Sequence, residues 1–282
     1  MKRIIVQALI MLISTFIFAQ DFEVSPVEIK FEASVGETVI KKVSIRNYSS
    51  TRQQFSAVYY DYEIDENGKK VPLKNGETSK HTMKDWINIS PSFFELNPNE
   101  ERIIDVTLSV PHDGTGARWG KIGIQPAVEQ TASNVDKTVA TGVLVVPRIT
   151  IWLTQSPKGN SNYSATIKDL VETTTANDTI RKFTALVTNT GGNIIEAKVF
   201  LTIANLMSAS EKKYPTNTQK IYPGSSKTIE LRIPEKLSPG RYVVAAILDY
   251  GHRKPLEGTQ IIIEQKWFSW KFIKFVKFSN SD

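Results

Sequence analysis

The chain has 282 residues, no cysteine, and 35 basic against 29 acidic residues, which gives a formal net charge of +6. Without cysteine it cannot form a disulfide, carry a lipid on a cysteine or bind a metal through thiolates. The excess of basic residues comes from Lys2, Arg3 and the lysines near the C terminus. The body of the chain is therefore nearly neutral and presents no broad basic face for nucleic acid.

The first residues predict a secretion signal. Met1, Lys2 and Arg3 are followed by an apolar stretch and then by Ala19, which is the plan of a cleaved secretory leader. We therefore expect residues 1–19 to be a signal peptide. An exported chain without cysteine is typical of a bacterial envelope, so we predict that the mature protein works in the periplasm.

Short strands with alternating apolar residues follow the leader. Residues 27–31 alternate apolar and charged side chains, as in a strand with one buried face. Residues 55–64 predict a Tyr-rich strand, and the Asn-Gly pair at residues 67–68 favours a hairpin turn. Residues 139–153 are the longest β-branched run. Pro147 within this run predicts a strand that is bent, bulged or at a sheet edge.

One structural unit occurs twice in the mature sequence. A turn at residues 96–99 precedes a strand with alternating apolar residues, a proline and an arginine–aromatic pair at residues 118–119. The turn at residues 221–224 precedes the same series, which ends with the pair at residues 241–242. The copies lie a domain's length apart, so they predict two tandem modules and not a solenoid. In each pair we expect a core aromatic residue and an outward arginine.

These patterns predict an all-β chain of two tandem immunoglobulin-like β-sandwiches. The predicted division is a signal peptide at residues 1–19, a first sandwich at 20–154, a linker at 155–160, a second sandwich at 161–265, and a short amphipathic, basic and aromatic tail at 266–282. Such a division gives each sandwich enough residues to bury a core without disulfides.

Several motifs of the first sandwich carry a family resemblance. They are Ser25-Pro26-x-x-Ile29-x-Phe31, Val43-Ser44-Ile45-Arg46-Asn47, Pro98-x-Glu100 and the long strand that contains Val143, Val145 and Arg148. Together they resemble the PapD-like fold of bacterial periplasmic chaperones. The tandem layout is also similar to two-domain envelope proteins that interact with WxL-type surface proteins. The sequence of residues 86–99 resembles that of Bacteroidetes proteins named as molecular chaperones.

The resemblance implies a way of binding a client. In pilus chaperones of this fold a long strand pairs with an incomplete subunit, and a basic pair holds the subunit's C-terminal carboxylate. By this resemblance, Val143 and Val145 would contact the client in strand addition, and Arg148 would be one basic anchor for the carboxylate. Glu28 stands where the family has an arginine in its first strand. The alternative for Arg148 is an exposed charge that protects an edge strand from aggregation.

The tail from Lys266 to Phe278 combines four lysines with eight apolar residues. On a helical wheel the lysines lie on one side, and most of the apolar residues lie opposite. Such a segment is too short to cross a bilayer, which takes ~20 residues, but it suits a membrane interface or a partner groove. The expected contact residues are Trp267, Phe268, Trp270, Lys271, Phe272, Lys274 and Phe275. The alternative is a tail folded back onto the second sandwich.

The sequence shows no catalytic constellation. Its histidines are isolated, and it contains neither a metal-ligand spacing nor a nucleophile elbow. We predict a non-enzymatic periplasmic chaperone or assembly factor, without cofactor or metal, that binds an exported or surface protein by β-strand addition. The alternative is a structural envelope adaptor that holds a surface protein complex or a cell-wall component.

Overall fold

The computed structural model describes residues 21–74, 77–127, 146–159, 162–175 and 177–266. Within these ranges the regular structure consists of β-strands and a single turn of 3-10 helix, Lys84–Trp86. The part of the chain that is described contains no helix long and apolar enough to span a membrane. The chain forms two compact units: the first ends at Asn160, and the segment Ile64–Lys69 is counted with the second.

The strands up to residue 155 build the first unit, except that Ile64, the last residue of β5, is counted with the second. They are β1 (Phe22–Ser25), β2 (Glu28–Phe31), β3 (Thr38–Asn47), β4 (Gln53–Tyr60), β5 (Tyr62–Ile64), β6 (Lys70–Pro72), β7 (Ile87–Ser90), β8 (Phe93–Leu96), β9 (Glu101–Ser109), β10 (Arg118–Pro126) and β11 (Ile149–Gln155). One sheet has the order β1-β3-β9-β7, the other has the order β2-β11-β10-β4-β8, and β5 pairs with β6 as a hairpin. Strand β11 runs antiparallel to β10 and parallel to β2.

The core of the first unit lies between its two larger sheets. The predicted alternation in β9 is confirmed, because Ile104, Val106 and Leu108 are all fully buried. The ring of Phe55 lies 5.2 Å from that of Phe22 and 5.8 Å from that of Phe94, measured between centroids. Burial of each such side chain stabilises the fold by ~1.5–3 kcal/mol.

The strands of the second unit form two sheets around a separate core. They are β12 (Ala165–Glu172), β13 (Arg181–Asn189), β14 (Ile195–Asn205), β15 (Glu211–Pro215), β16 (Gln219–Ile221), β17 (Ser226–Ile233), β18 (Gly240–Asp249) and β19 (Glu257–Gln265). One sheet has the order β12-β13-β17; the other has the order β15-β14-β18-β19, and β16 also pairs with β14. Ile229, Leu231 and Ile233 are buried in this core, as their alternation predicted.

A buried asparagine holds the repeated turn in each unit. The backbone N–H of Asn99 donates to the carbonyl of Asn47 at 2.8 Å, and that of Gly224 donates to the carbonyl of Asn189 at 3.0 Å. Asn99 and Gly224 both have positive φ, 62° and 73°. The two asparagine side chains are fully buried and donate to the carbonyls of the apolar residues that open the turns, Leu96 and Ile221. The repeat in sequence is therefore a repeat in structure.

The predicted strand over residues 55–64 is wrong in one respect, because it breaks at Asp61 into β4 and β5. The Asp61 carboxylate accepts hydrogen bonds from the Tyr59 hydroxyl at 2.8 Å and from the Thr82 hydroxyl at 2.7 Å. These bonds hold the carboxylate at the break. The predicted turn after β5 is confirmed, since Gly68 has φ of 74° and its N–H donates to the carbonyl of Asp65.

Gln155 lies in a strand, although the sequence placed it at the start of the linker. It is the last residue of β11 and is fully buried. Its side-chain amide pairs with the backbone of Ala33: the Ala33 N–H donates to Oε1 at 3.1 Å, and Nε2 donates to the Ala33 carbonyl at 2.7 Å. A residue with both amide groups satisfied inside the fold belongs to the sandwich and not to a linker.

Candidate client-binding edge

The N-terminal part of β11 has a partner strand on one side only within the described ranges. Its register with β10 runs from Ile149 opposite Ile124 to Gln155 opposite Arg118. On its other side β2 pairs only with the last four residues, from Trp152 onward. We call the side of residues 149–151 that faces away from β10 the free edge. The predicted long strand thus begins, in its described part, after Pro147 and Arg148.

The backbone of Thr150 points its hydrogen-bonding groups toward the free edge. The N–H of Trp152 donates to the carbonyl of Val27, on the β2 side of β11, at 2.9 Å. Alternate residues of a strand direct their N–H and C=O to the same side, so Thr150 directs its pair to that side as well. The Ile149 and Ile151 groups face β10. Thr150 therefore offers one donor and one acceptor to an added strand.

Arg148 lies directly before this edge and is held by two neighbours. Its guanidinium lies 4.8 Å from the centre of the Tyr60 ring, which is cation–π distance, and its Nε donates to Oε1 of Gln125 at 2.7 Å. Arg148 is exposed. Among the described residues the terminal nitrogens Nη1 and Nη2 have no hydrogen-bond acceptor. The guanidinium is thus oriented by these two contacts, and an arginine fork of this kind can bind a carboxylate through two hydrogen bonds.

Gly123 makes room for this arrangement. A Cβ atom on Gly123 would lie 2.8 Å from Cδ of Arg148 and 3.0 Å from Cε2 of Tyr60. Both distances are shorter than ordinary van der Waals contact, so any side chain at position 123 would push the arginine or the tyrosine away. Glycine serves here as a gap in the outer face of the sheet and not as a source of unusual backbone conformation.

Glu28 does not lie next to Arg148. In the parallel register Glu28 is opposite Trp152, four residues further along β11. On the outer face Arg148 lies next to Tyr60, Gly123 and Gln125. The resemblance implied a basic pair at positions 28 and 148. In the structure Glu28 and Arg148 are not neighbours.

The other end of the same outer face is covered. Lys70 places its ammonium 3.4 Å from the centre of the Trp152 ring, and Tyr62 meets that ring edge-on at 5.1 Å. His81 stacks on Trp119 with ring centroids 3.9 Å apart, and burial lowers the pKa of His81. These contacts close the Trp152 end of the face, whereas Arg148, at the other end, is exposed among the described residues.

The two repeated aromatic residues are buried, as predicted, but Trp119 is not in the main core. Tyr242 is buried among the core residues of the second unit, and Arg241 is exposed. Trp119 is 1% exposed, yet it lies on the same face of β10 as Lys121 and Gly123, opposite to Ile122. Its indole Nε1 donates to the carbonyl of Tyr62 at 3.1 Å, so the segment around β5 buries it.

Most of the predicted contact residues lie outside the described ranges. These are Val143 and Val145 of the long strand, and Trp267, Phe268, Trp270, Lys271, Phe272, Lys274 and Phe275 of the tail. Of the predicted client-binding residues, the structure therefore places Arg148 alone. The described residues contain no group of three or more His, Asp or Glu side chains that could hold a metal ion.

Tyr60, Gly123 and Gln125 are neighbours of Arg148 that the sequence patterns did not predict. A signal was present for two of them, because Gly123 and Gln125 alternate with the buried Ile122 and Ile124 and so share the outer face. Tyr60 could not be found in this way, since its proximity depends on the pairing of β4 with β10.

No protein-family model and no curated protein matches the sequence. Solved structures similar to the chain include the class 5 fimbriae chaperone CfaA, with 13% identity and a TM-score of 0.45 over 86% of this chain and 98% of that chain. Another is the CsuC–CsuE chaperone–tip adhesion subunit pre-assembly complex of Acinetobacter baumannii archaic Csu pili, with 16% identity and a TM-score of 0.40 over 75% of this chain and 90% of that chain. The Pseudomonas aeruginosa CupB2 chaperone has 12% identity and a TM-score of 0.38 over 84% of this chain and 98% of that chain.

Likenesses with TM-scores of 0.38 to 0.45 establish neither a family nor a function for this chain, and what those proteins bind is a property of those proteins. The particular likenesses to Bacteroidetes proteins and to WxL-interacting proteins stay predictions. The strand order of both units confirms the predicted all-β class of immunoglobulin-like sandwiches.

Proposed function

We propose that this protein is a non-enzymatic chaperone or assembly factor of the bacterial periplasm that binds an exported or surface protein by strand addition at the free edge of β11. One observation carries the proposal: residues 149–151 have β10 on one side and no described strand on the other. A sheet edge of this kind is a template for an extended segment of another chain.

The free edge is short, which limits the binding free energy that its backbone hydrogen bonds can contribute. Thr150 supplies one backbone donor and one acceptor, and a hydrogen bond contributes only about 0.5–1.5 kcal/mol net. Stable capture therefore requires the client strand to continue along residues preceding 149. Val143 and Val145 are the side chains that we propose to contact the client there, since alternate side chains supply the specificity in strand addition.

Arg148 is proposed as an anchor for a client carboxylate. Stacking on Tyr60 and the hydrogen bond to Gln125 hold the guanidinium next to the free edge. Its terminal nitrogens donate to no acceptor among the described residues. An arginine held in this way loses little side-chain entropy on binding. Charge-assisted, bidentate bonds from arginine to carboxylate are among the stronger hydrogen bonds in proteins.

A proline at position 150 tests strand addition. Thr150→Pro removes the N–H that faces the free edge and leaves the ladder to β10 in place, whereas the matched control Thr150→Val keeps the N–H. We expect Thr150→Val to capture client from envelope extract as the wild type does, and Thr150→Pro to capture about two- to tenfold less. Circular dichroism and melting temperature check that both variants fold. Equal capture by a folded Thr150→Pro variant would refute strand addition at this edge.

The anchor is tested with a peptide that carries the C-terminal sequence of the captured client. Arg148→Ala should weaken binding of the free-acid peptide about tenfold, or about 1.4 kcal/mol, and should leave binding of the C-terminally amidated peptide unchanged. Arg148→Lys should give an intermediate loss, because lysine keeps the charge but not the fork. Equal losses for the acid and the amide would exclude a carboxylate anchor. A client that never dissociates from the wild type would favour the adaptor alternative.

A further inference from the structure

The larger sheet of the second unit has an apolar outer face. On β18 the residues 242, 244, 246 and 248 point into the core and are buried, while the residues between them point away from it. The outward apolar residues are Phe200, Ala204, Val243, Ala245, Ile247 and Ile262. A strand that buries one face usually carries polar residues on the other, so this face departs from the ordinary pattern.

The register joins these residues into rows across three strands. Ala204 lies opposite Val243, which lies opposite Ile262. Phe200 lies opposite Ile247 in a second row, and the ammonium of Lys213 from β15 lies 3.3 Å from the centre of the Phe200 ring. Between them lies a third row, in which Ala245 is flanked by the polar residues Thr202 and Gln260. The apolar surface is therefore continuous along β18, through Val243, Ala245 and Ile247, and widens at the two apolar rows. We call these apolar residues the outer apolar face.

This face is accessible within its unit. Ile262 is 61% exposed, and the other members are half-buried by their neighbours in the sheet. The second sheet of the unit packs on the opposite side, around the core, and no described helix of the unit packs on the outer apolar face. A contiguous apolar surface in a folded protein usually marks a contact with another segment, a partner or a membrane.

The C-terminal tail starts beside this face. Strand β19 ends at Gln265, three residues after Ile262, and residues 267–282 follow. As a helix, the twelve residues from 267 to 278 would span about 18 Å at 1.5 Å per residue. Four strands at a spacing of about 4.8 Å span about 14 Å between the outer strand axes. A helical tail is therefore long enough to cross β19, β18 and β14.

We propose that the tail of the same chain occupies the outer apolar face. Phe268, Phe272 and Phe275, which share one side of a helical wheel, would contact the rows of Val243 and Ile247, and the tail lysines would point to water. Tethering favours this occupant over a second copy or a membrane, because a short linker gives an effective concentration in the millimolar range. The structure thus favours the folded-back alternative for the tail, and this inference does not depend on the proposed function.

Tail docking is tested first by the rate at which trypsin cuts at the tail lysines. Ile262→Lys places a charge in the outer apolar face, and we expect it to accelerate tail cleavage about tenfold. The matched control is Val171→Lys, which changes a 53% exposed valine of β12 in the other sheet. We expect the control to cleave at the wild-type rate. Circular dichroism confirms the folding of both variants.

Two further measurements use chains without a disruptive substitution. In the wild type, a lysine-reactive cross-linker should join Lys213 to Lys271 or Lys274 within one chain. A chain that ends at Lys266 should bind an apolar fluorescent dye more strongly than the full mature chain. In the shortened chain, Ile262→Lys should lower dye binding again.

Three results would overturn the proposal. One is equal tail cleavage in the wild type and in Ile262→Lys. A second is a dimer, seen by light scattering, that disappears on truncation and shows cross-links between chains only. A third is that trypsin cuts the wild-type tail as fast as the Ile262→Lys tail, and that only anionic phospholipid vesicles protect it. This result would assign the tail to a membrane surface.

Discussion

Replacing Asn47 tests what closes the first sandwich. The Asn47 side chain is fully buried, and its Nδ2 donates to the carbonyls of Thr51, Leu96 and Asn97 at 2.9, 3.1 and 3.2 Å. Its Oδ1 accepts from the backbone N–H and the hydroxyl of Ser49 at 3.0 and 2.8 Å. One side chain thus ties the end of β3 to the turn that precedes β9. Asn47→Ala removes all of these bonds together.

The magnitude follows from the carbonyls that lose their donor. A buried acceptor left unsatisfied costs about 1–3 kcal/mol. The bond to Leu96 is buried, while the bonds to Thr51 and Asn97 are partly accessible to water. We therefore expect Asn47→Ala to lower the free energy of unfolding of the first unit by about 2–4 kcal/mol. For a domain of this size that is a fall of about 8–16 °C in melting temperature.

Calorimetry of the mature chain checks this expectation. Asn88→Ala, at an exposed position on β7, is the matched control and should change stability by less than about 0.5 kcal/mol. Asn189→Ala removes the equivalent bonds in the second unit and should destabilise that unit instead. If Asn47→Ala behaves like Asn88→Ala, the buried asparagine does not hold the repeated turn.

Two further predictions concern the free edge and the second unit. Gly123→Val should displace Arg148 and reduce binding of the free-acid client peptide as Arg148→Ala does, at a small cost in stability; unchanged binding would show that the position of the guanidinium is unimportant. Bonding to Lys182 and Thr175 lowers the pKa of Asp178 to about 2. Because this folded-state pKa lies below the unfolded value of ~3.9, Asp178 stabilises the second unit above about pH 4, and the contribution disappears as the pH falls toward 2. Asp178→Asn should therefore make stability fall less steeply between pH 4 and 2 in acid unfolding, and parallel curves would contradict the assigned bonds.

Alternating apolar residues were sufficient to predict individual strands and their buried faces. Ile104, Val106 and Leu108 are buried as expected, and so are Ile229 and Leu231. The repeated turns were also visible, because a proline followed by a residue that tolerates positive φ is a local signal. These features depend on residues close together in the chain, which is why a single sequence reveals them.

Tertiary structure decided which faces and edges are left for function. The free edge exists because β2 pairs with β11 only from Trp152, a register between segments more than 120 residues apart. Trp119 is buried on the outer face because β5 covers it, although its position in β10 alone would leave it exposed. On β18 both faces are apolar from Val243 to Leu248, so its sequence could not show which one packs on the core. A two-residue period assigns side chains to faces, but the neighbours of each face depend on contacts between distant segments, which no local pattern encodes.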